Sequence, residues 1–142
     1  MRKVVLLCGP PGAGKTTAAR RSGLEVFDVD DSRWESERHF RTALGALGQS
    51  RTAQAVVIRS GATSSARRKA MELIAGTHQF LLLAPRDELH RRIRDRARVD
   101  QSATHVAVAR WFDSHDRDDG IEIFPGWQHI DAPPDGVTSQ EW

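Results

Sequence analysis

The stretch that decides the fold is KVVLLCGPPGAGKTT, residues 3–17. Its first part is a short run of β-branched and apolar residues, which is typical of a strand that is buried on both faces. Its second part contains three glycines and two prolines and leads into Lys15, Thr16 and Thr17, where a helix can begin. The stretch therefore predicts a strand, a tight loop and a helix in direct succession.

The loop fits the Walker A pattern G-x-x-x-x-G-K-[ST] at residues 9–16. Its inner glycines permit backbone angles that a Cβ atom would forbid, so that successive N–H groups can turn towards one anion. Lys15 can reach the β- and γ-phosphates of a nucleotide, the Thr16 hydroxyl can be a ligand of Mg²⁺, and Thr17 can reach the α-phosphate. We therefore expect ATP and Mg²⁺ as cofactors, held by Gly12, Ala13, Gly14, Lys15, Thr16 and Thr17.

The rest of the chain alternates apolar strand-like runs with segments of helical spacing. This alternation predicts a parallel sheet with right-handed crossovers and helices on both faces. We expect a P-loop NTPase-like three-layer α/β sandwich with four or five parallel strands. The further strands are predicted at residues 25–31, 53–61 and 78–85, with a short fifth one at 127–131, and the helices at 32–47, 64–74, 86–99 and 102–115.

The second predicted strand ends in three carboxylates, Asp28, Asp30 and Asp31. They lie at the carboxyl edge of the sheet, where ligands bind in open α/β folds. A carboxylate there can accept a proton from an attacking hydroxyl or hold Mg²⁺ through water. Strand alternation puts Asp28 and Asp30 on one face and Asp31 on the other. We expect Asp30 to be catalytic and Asp31 to cap the following helix, a role that Ser32 could also fill.

Together these motifs resemble the P-loop kinases of the polynucleotide 5′-hydroxyl kinase type. Residues 30–33 read DDSR, which is similar to that family's D-D-x-R motif, and ELHRRIRDRA at 88–97 resembles its arginine-rich helical lid. The resemblance implies that Asp30 is the general base and that Arg33 binds a phosphate of the acceptor. It also implies that Arg92 and Arg96, which share one helix face, contact the donor phosphates.

The resemblance implies transfer of the γ-phosphoryl group of ATP to a hydroxyl of a nucleic acid, DNA or RNA, or of a nucleotide. Two alternatives stay open: a small-metabolite kinase with the same core, and a nucleotide-binding module that transfers nothing.

The third predicted strand ends in IRSG, residues 58–61, without the aspartate that many P-loop enzymes carry there. This departure disfavours an ATPase motor or a switch GTPase and leaves the Mg²⁺ ligands incomplete. Arg59 in this segment is either a substrate-facing charge or an ordinary strand end.

The resemblance extends over about residues 3–115. We expect a kinase domain at 1–115, with its lid at about 86–104, followed by a mostly irregular tail at 116–142 that packs on the domain. The acidic stretch at 115–120 lacks the ligand spacing of a calcium loop, so we expect a solvated connection there.

Charge and cysteine content limit the possible binding surfaces and cellular compartments of the protein. The net charge is only +2, but residues 86–98 carry six arginines, and Arg67, Arg68 and Lys69 form a second basic cluster. Each basic cluster is either a solvated face or a surface for phosphates.

The single cysteine, Cys8, is expected in the core, which excludes a disulfide framework and fits a reducing cytoplasm. The apolar stretches are too short to cross a bilayer, so we expect a cytoplasmic protein without a membrane partner.

Overall fold

The computed structural model describes residues 2–95 and 101–130 of the chain. Within them, five strands form one parallel sheet in the order β2-β3-β1-β4-β5. The strands are β1 (Lys3–Cys8), β2 (Glu25–Asp28), β3 (Gln54–Arg59), β4 (His78–Leu81) and β5 (Glu122–Ile123). The helices are α1 (Lys15–Arg20), α2 (Glu37–Gln49), α3 (Ser64–Ile74), α4 (Arg86–Asp95) and α5 (Gln101–Ser114), and Trp127–His129 is a 3₁₀ turn. None of these described helices is both long enough and apolar enough to span a membrane.

The central strand β1 divides the core into two layers. Val4, Leu6 and Cys8 pack with buried residues of α2, α3 and α5, whereas Val5 and Leu7 pack with residues of α1 and of the segment after β5. Both faces of the sheet are therefore covered, which explains why β1 is apolar at every position from Val4 onwards. Cys8 lies in this core, as predicted, and burial raises the pKa of its thiol to about 12.

The carboxyl ends of β1, β3 and β4 are held together around the loop that follows β1. The N–H of Gly9 donates to the Ser60 carbonyl at 3.1 Å, and the N–H of Leu82 donates to the Cys8 carbonyl at 2.8 Å. A Cβ atom at Gly9 would lie 2.2 Å from the Leu82 carbonyl oxygen, so a side chain at this position would push the two segments apart. Gly9 thus sets the close approach that fixes the start of the loop.

Helix α2 begins at Glu37, five residues after the predicted start. The intervening backbone is held by side chains: Asp28 Oδ1 accepts from the N–H of Asp30 at 3.1 Å, and Asp31 Oδ1 accepts from the N–H of Arg33 at 3.0 Å. Such local bonds compete with helix formation. The cap is Ser36, whose hydroxyl accepts from the N–H of His39 at 3.0 Å. The prediction that Asp31 or Ser32 caps this helix is therefore wrong.

The fifth strand lies at β5, not at the predicted residues 127–131. Trp127 instead starts the 3₁₀ turn, and its indole N–H donates to the Ala18 carbonyl of α1 at 2.8 Å. Its ring also packs edge to face against Phe124, with centroids 4.9 Å apart. The segment after β5 therefore covers α1, and the positions beyond residue 130 lie outside the described residues.

A buried arginine joins residues 116–119 to the start of α3. Arg67 is fully buried, and its guanidinium donates to both carboxylate oxygens of Asp119, at 2.7 and 3.0 Å. It also donates to the carbonyls of Gly61, Ala62 and Asp116. The hydrogen bonds from Arg67 are the main reason that the pKa of Asp119 falls to about 2. Residues 117–120 are exposed, as predicted for a solvated connection, but Asp116 and Asp119 also anchor the stretch to Arg67. Arg67 therefore does not belong to a phosphate surface.

Candidate functional site

A cavity of about 490 Å³ opens at the carboxyl ends of β1, β2 and β3. Its walls come from the loop after β1, the end of β2, the first turn of α2 and the end of β3. This phosphate-loop cavity brings together motifs that are far apart in sequence. It is lined by Pro11, Gly12, Gly14, Lys15, Thr16, Thr17, Asp28, Val29, Asp30, Glu37, Ile58, Arg59 and Ser60.

The loop has the backbone shape that an anion cradle requires. Gly12 and Gly14 have φ angles of 81° and 96°, in the left-handed region that favours glycine. The N–H of Ala18 donates to the Gly14 carbonyl at 2.9 Å. Among the described residues, none accepts a hydrogen bond from the backbone N–H groups of residues 14–17. These donors are therefore available to phosphate oxygens.

Lys15 is folded back onto its own loop. Its ammonium group donates to the Gly9 carbonyl at 2.5 Å, which is its one hydrogen bond to the described residues. An ammonium has three donors, so two remain. Burial lowers the pKa of Lys15, while the negative charges of Asp28 and Asp30 act in the opposite direction. The side chain is positioned to bind an anion in the cavity.

Thr16 and Asp28 form a pair of oxygen donors beside the loop. The Thr16 hydroxyl donates to Asp28 Oδ2 at 2.9 Å. Hydroxyl and carboxylate oxygens are the donors that Mg²⁺ prefers in proteins, so the pair fits the cofactor that the sequence predicts. The sequence had placed Asp28 on the same face as Asp30 but had not assigned it to Thr16. Asp28 is thus a carboxylate beside the loop, whereas the end of β3 has none.

The far wall of the cavity contains a carboxylate, Asp30, and an ion pair. Asp30 is exposed and lines the cavity, and its place in the reaction stays a prediction. Arg59 Nη2 lies 3.3 Å from Glu37 Oε1, and its guanidinium sits over the ring of Phe40 at 5.5 Å. Glu37 was missed because the start of α2 was predicted five residues too early. Arg59 faces the cavity, which favours the first of the two readings left open by the sequence.

One of the two predicted lid arginines reaches the loop. Arg92 Nη1 donates to the Gly12 carbonyl at 2.9 Å, and its Nε donates to Glu88 Oε1 at 3.2 Å. Ala13 packs against the cluster that Leu89 and Ile93 of the same helix form with Val108, so α4 lies against the loop. Arg96 lies outside the described residues. Its contact with donor phosphates stays a prediction, as does that of Arg92.

Arg33 does not line the cavity. Its guanidinium donates to the Val26 carbonyl at 2.5 Å and lies 4.4 Å above the ring of Trp34. Because β2 is the edge strand of the described sheet, Arg33 covers an open sheet edge. In this arrangement it is not brought together with Asp30 around a common ligand, and its role towards the acceptor stays a prediction.

Comparison with known proteins by sequence gives short matches only. No family model matches the chain. A segment of 52 residues, 34% of this chain, is 46% identical to the human chromosome transmission fidelity protein 18 homolog, and 35 residues are 57% identical to chromosome transmission fidelity protein 18 of Emericella nidulans. The matched parts are 5% and 4% of those proteins, so the chain spans a very small part of the curated relatives that it matches.

Comparison with solved structures extends over most of the chain. A sugar kinase from Janibacter sp. has a TM-score of 0.62 and 16% identity, and the match covers 87% of this chain and 84% of that one. A gluconokinase from Sinorhizobium meliloti has a TM-score of 0.58 and 17% identity, with coverage of 87% and 82%. Shikimate kinase from Bacteroides thetaiotaomicron has a TM-score of 0.54 and 19% identity, with coverage of 86% and 85%. The chain therefore has the α/β fold of P-loop kinases, which confirms the predicted fold class.

Proposed function

We propose that the protein is an ATP-dependent kinase that transfers the γ-phosphoryl group to a hydroxyl group. The observation that carries this proposal is the shared cavity of the phosphate loop and two carboxylates, in which the Thr16 hydroxyl is bonded to Asp28. A nucleotide-binding loop needs no second carboxylate, whereas a phosphotransferase needs one group for the metal and one for the acceptor. Asp28 and Asp30 supply both.

The loop residues hold the donor and neutralise its charge. ATP supplies the phosphoryl group, and Mg²⁺ offsets the negative charge on its phosphates. The N–H groups of residues 14–17 bind phosphate oxygens, and Lys15 leaves the Gly9 carbonyl to bind the transferred group. Thr16 and Asp28 hold the metal, directly or through water. These fixed donors act where charge develops during transfer, which is the most effective place for electrostatic stabilisation.

Asp30 acts on the acceptor. Its carboxylate accepts the proton of the acceptor hydroxyl while that oxygen forms a bond to the γ-phosphorus and the bond to ADP breaks. Asp30 is more exposed than Asp28 and is not bonded to Thr16, so its carboxylate is open to a second ligand. Arg92, with Arg96 by resemblance, stabilises the charge on the transferred group from the side of α4.

The acceptor that this site supports best is a small hydroxyl compound. The cavity has a volume of about 490 Å³, and the Glu37–Arg59 ion pair lines its far side, which suits one small molecule beside the phosphates. A nucleic-acid or nucleotide hydroxyl is the second candidate, and the DDSR match at residues 30–33 favours it. The position of Arg33 at the sheet edge supports that candidate less.

The test is transfer of label from γ-³²P-ATP to a panel of acceptors. The panel contains DNA and RNA 5′-hydroxyl oligonucleotides, nucleosides, sugars, sugar acids and other small alcohols, each with and without EDTA. We expect Mg²⁺-dependent label on a small alcohol. Label on an oligonucleotide alone would establish the second candidate. Binding of ATP without transfer to any of these acceptors would contradict the kinase proposal and indicate a nucleotide-binding module.

A further inference from the structure

A second cavity adjoins the proposed site. It has a volume of about 560 Å³, lies between α2 and α3, and shares Arg59 and Ser60 with the phosphate-loop cavity. The Ser60 carbonyl accepts hydrogen bonds from the indole of Trp111 at 2.7 Å and from the N–H of Gly9 at 3.1 Å. The backbone at Ser60, where the two cavities meet, is therefore held in place. We call the second cavity the α2–α3 groove.

The groove carries an excess of positive charge. Its cations include Arg41, Arg59 and Lys69, and the first two share a single carboxylate, because both pair with Glu37, at 3.5 and 3.3 Å. Lys69 has no hydrogen-bond or ion-pair partner among the described residues. The fourth cation, Arg67, is neutralised by Asp119. The groove thus retains cationic charge that the described residues do not balance.

The groove also has an apolar lining. Leu44, Ala66, Ala70 and Leu73 contribute to its walls, and Leu73 is one of the large apolar side chains that are exposed, at 41%. An inorganic anion would leave this apolar surface in water, and a neutral apolar molecule would leave Lys69 without a partner. The occupant that satisfies both is an organic anion.

We infer that the α2–α3 groove binds the anionic end of the acceptor, and that the acceptor is therefore an organic anion carrying a phosphomonoester or carboxylate on an apolar frame. The inference rests on the proposed kinase function, since it assigns the groove to the substrate of that same site. Arg59, which lines both cavities and is held by Glu37 and Phe40, lies between the reacting hydroxyl and the anionic end.

The experiment measures binding by calorimetry to protein whose phosphate loop is saturated with Mg²⁺ and a non-hydrolysable ATP analogue, so that the γ-phosphate position is also filled. Phenyl phosphate and benzoate are the anionic probes, benzyl alcohol is the neutral one, and inorganic phosphate lacks the apolar frame. The variants are Lys69→Ala and, as a matched control, Arg68→Ala. Arg68 is the preceding residue on the same helix but lines a different cavity, so the control removes the same charge without touching the groove.

We expect phenyl phosphate or benzoate to bind at least tenfold more tightly than benzyl alcohol and inorganic phosphate. Lys69→Ala should weaken that binding about three- to tenfold, the range for loss of one charge-assisted contact, while Arg68→Ala changes it less than twofold. The inference is overturned if neither anionic probe binds, if benzyl alcohol or inorganic phosphate binds equally well, or if the two variants lose binding equally.

The result of this binding experiment can be told apart from the result of the label-transfer experiment that tests the kinase proposal. Binding of the anionic probes with loss in Lys69→Ala supports the groove even if no acceptor is labelled by ATP. Label transfer to neutral alcohols alone would support the kinase and overturn the inference about the acceptor. Comparing phenyl phosphate with benzoate shows which of the two anionic groups the groove prefers.

Discussion

Lys15 and Arg67 are two cations near the end of β1, and they are held in opposite ways. Arg67 is fully buried and bonds five acceptor atoms, of Asp119, Gly61, Ala62 and Asp116. Lys15 donates to one backbone carbonyl among the described residues. Both lie close enough to Cys8 to lower the pKa of its thiol, although burial outweighs them.

The difference separates a structural charge from one that we propose binds a ligand. A buried cation whose donors are all bonded to fixed partners contributes to the fold and has no capacity for a ligand. A cation that keeps free donors beside unpaired backbone N–H groups is ready for an anion. The same contrast distinguishes Asp119, which is bonded to Arg67, from Asp30, which faces the cavity. Substitutions in the two regions should therefore affect different measurements.

The largest expected effect is on catalysis, from Asp30→Asn. Loss of a general base lowers the rate by about 10²- to 10⁴-fold, so we expect kcat to fall about 10³-fold while ATP binding changes little. The measurement is label transfer from γ-³²P-ATP to the acceptor found in the panel. Asp31→Asn is the matched control, because Asp31 bonds the Arg33 N–H and does not line the cavity. Turnover by Asp30→Asn within threefold of the wild type would remove Asp30 from its role.

Arg67→Ala should act on stability instead. It leaves Asp119 and three carbonyls without their donor, so we expect the free energy of unfolding to fall by about 3 kcal/mol in urea titrations. Arg68→Ala, on the exposed side of the same helix, should change it by less than about 0.5 kcal/mol. If Arg67→Ala were as stable as Arg68→Ala, the contrast between the two regions would be lost.

The Arg67–Asp119 pair also predicts a pH dependence of stability. The pKa of Asp119 is lowered from 3.8 to about 2 in the folded protein, chiefly by its hydrogen bonds from Arg67. The stabilisation is therefore complete above about pH 4 and is lost as the pH falls towards 2. The difference in unfolding free energy between wild type and Asp119→Asn should shrink over this range. A constant difference from pH 6 to pH 2 would contradict the assignment.

The smallest expected effect on catalysis comes from Arg92, at the edge of the proposed site. Arg92→Ala removes the guanidinium that α4 places against Gly12, and we expect kcat/KM for ATP to fall about tenfold, or about 1.4 kcal/mol. Arg91→Ala is the matched control: the adjacent side chain is exposed and pairs with Glu88. Equal losses in both variants would show that only the overall charge of the helix matters.

The sequence predicted the regions whose signals are local. In the loop at residues 9–16, Gly12 and Gly14 are the residues that permit the required backbone angles. The apolar runs of β1, β3 and β4 indicate a sheet that is covered on both faces. Helix α3 was predicted to end at Ile74, as observed, but its cap is Thr63 and not the predicted Ser64 or Ser65. These elements are determined by neighbours within a few residues.

Features that depend on distant partners were missed. From the sequence, Arg67 belongs to a basic cluster with its two neighbours. In the structure its hydrogen-bond acceptors include residues 116–119, about 50 positions later in the chain. β5 has only two residues and exists through its pairing with β4. The misplaced start of α2 has a local cause instead, because Asp28 and Asp31 accept hydrogen bonds from N–H groups two residues further along the chain.

The most direct test of the account is a calorimetric titration of the wild type and of Lys15→Ala with Mg·ATP. The account predicts one nucleotide bound per chain by the wild type, and at least tenfold weaker binding by Lys15→Ala with an unchanged free energy of unfolding. No binding by the wild type, or equal affinity in the variant, would contradict the claim that Lys15 and its loop form a site for a polyphosphate.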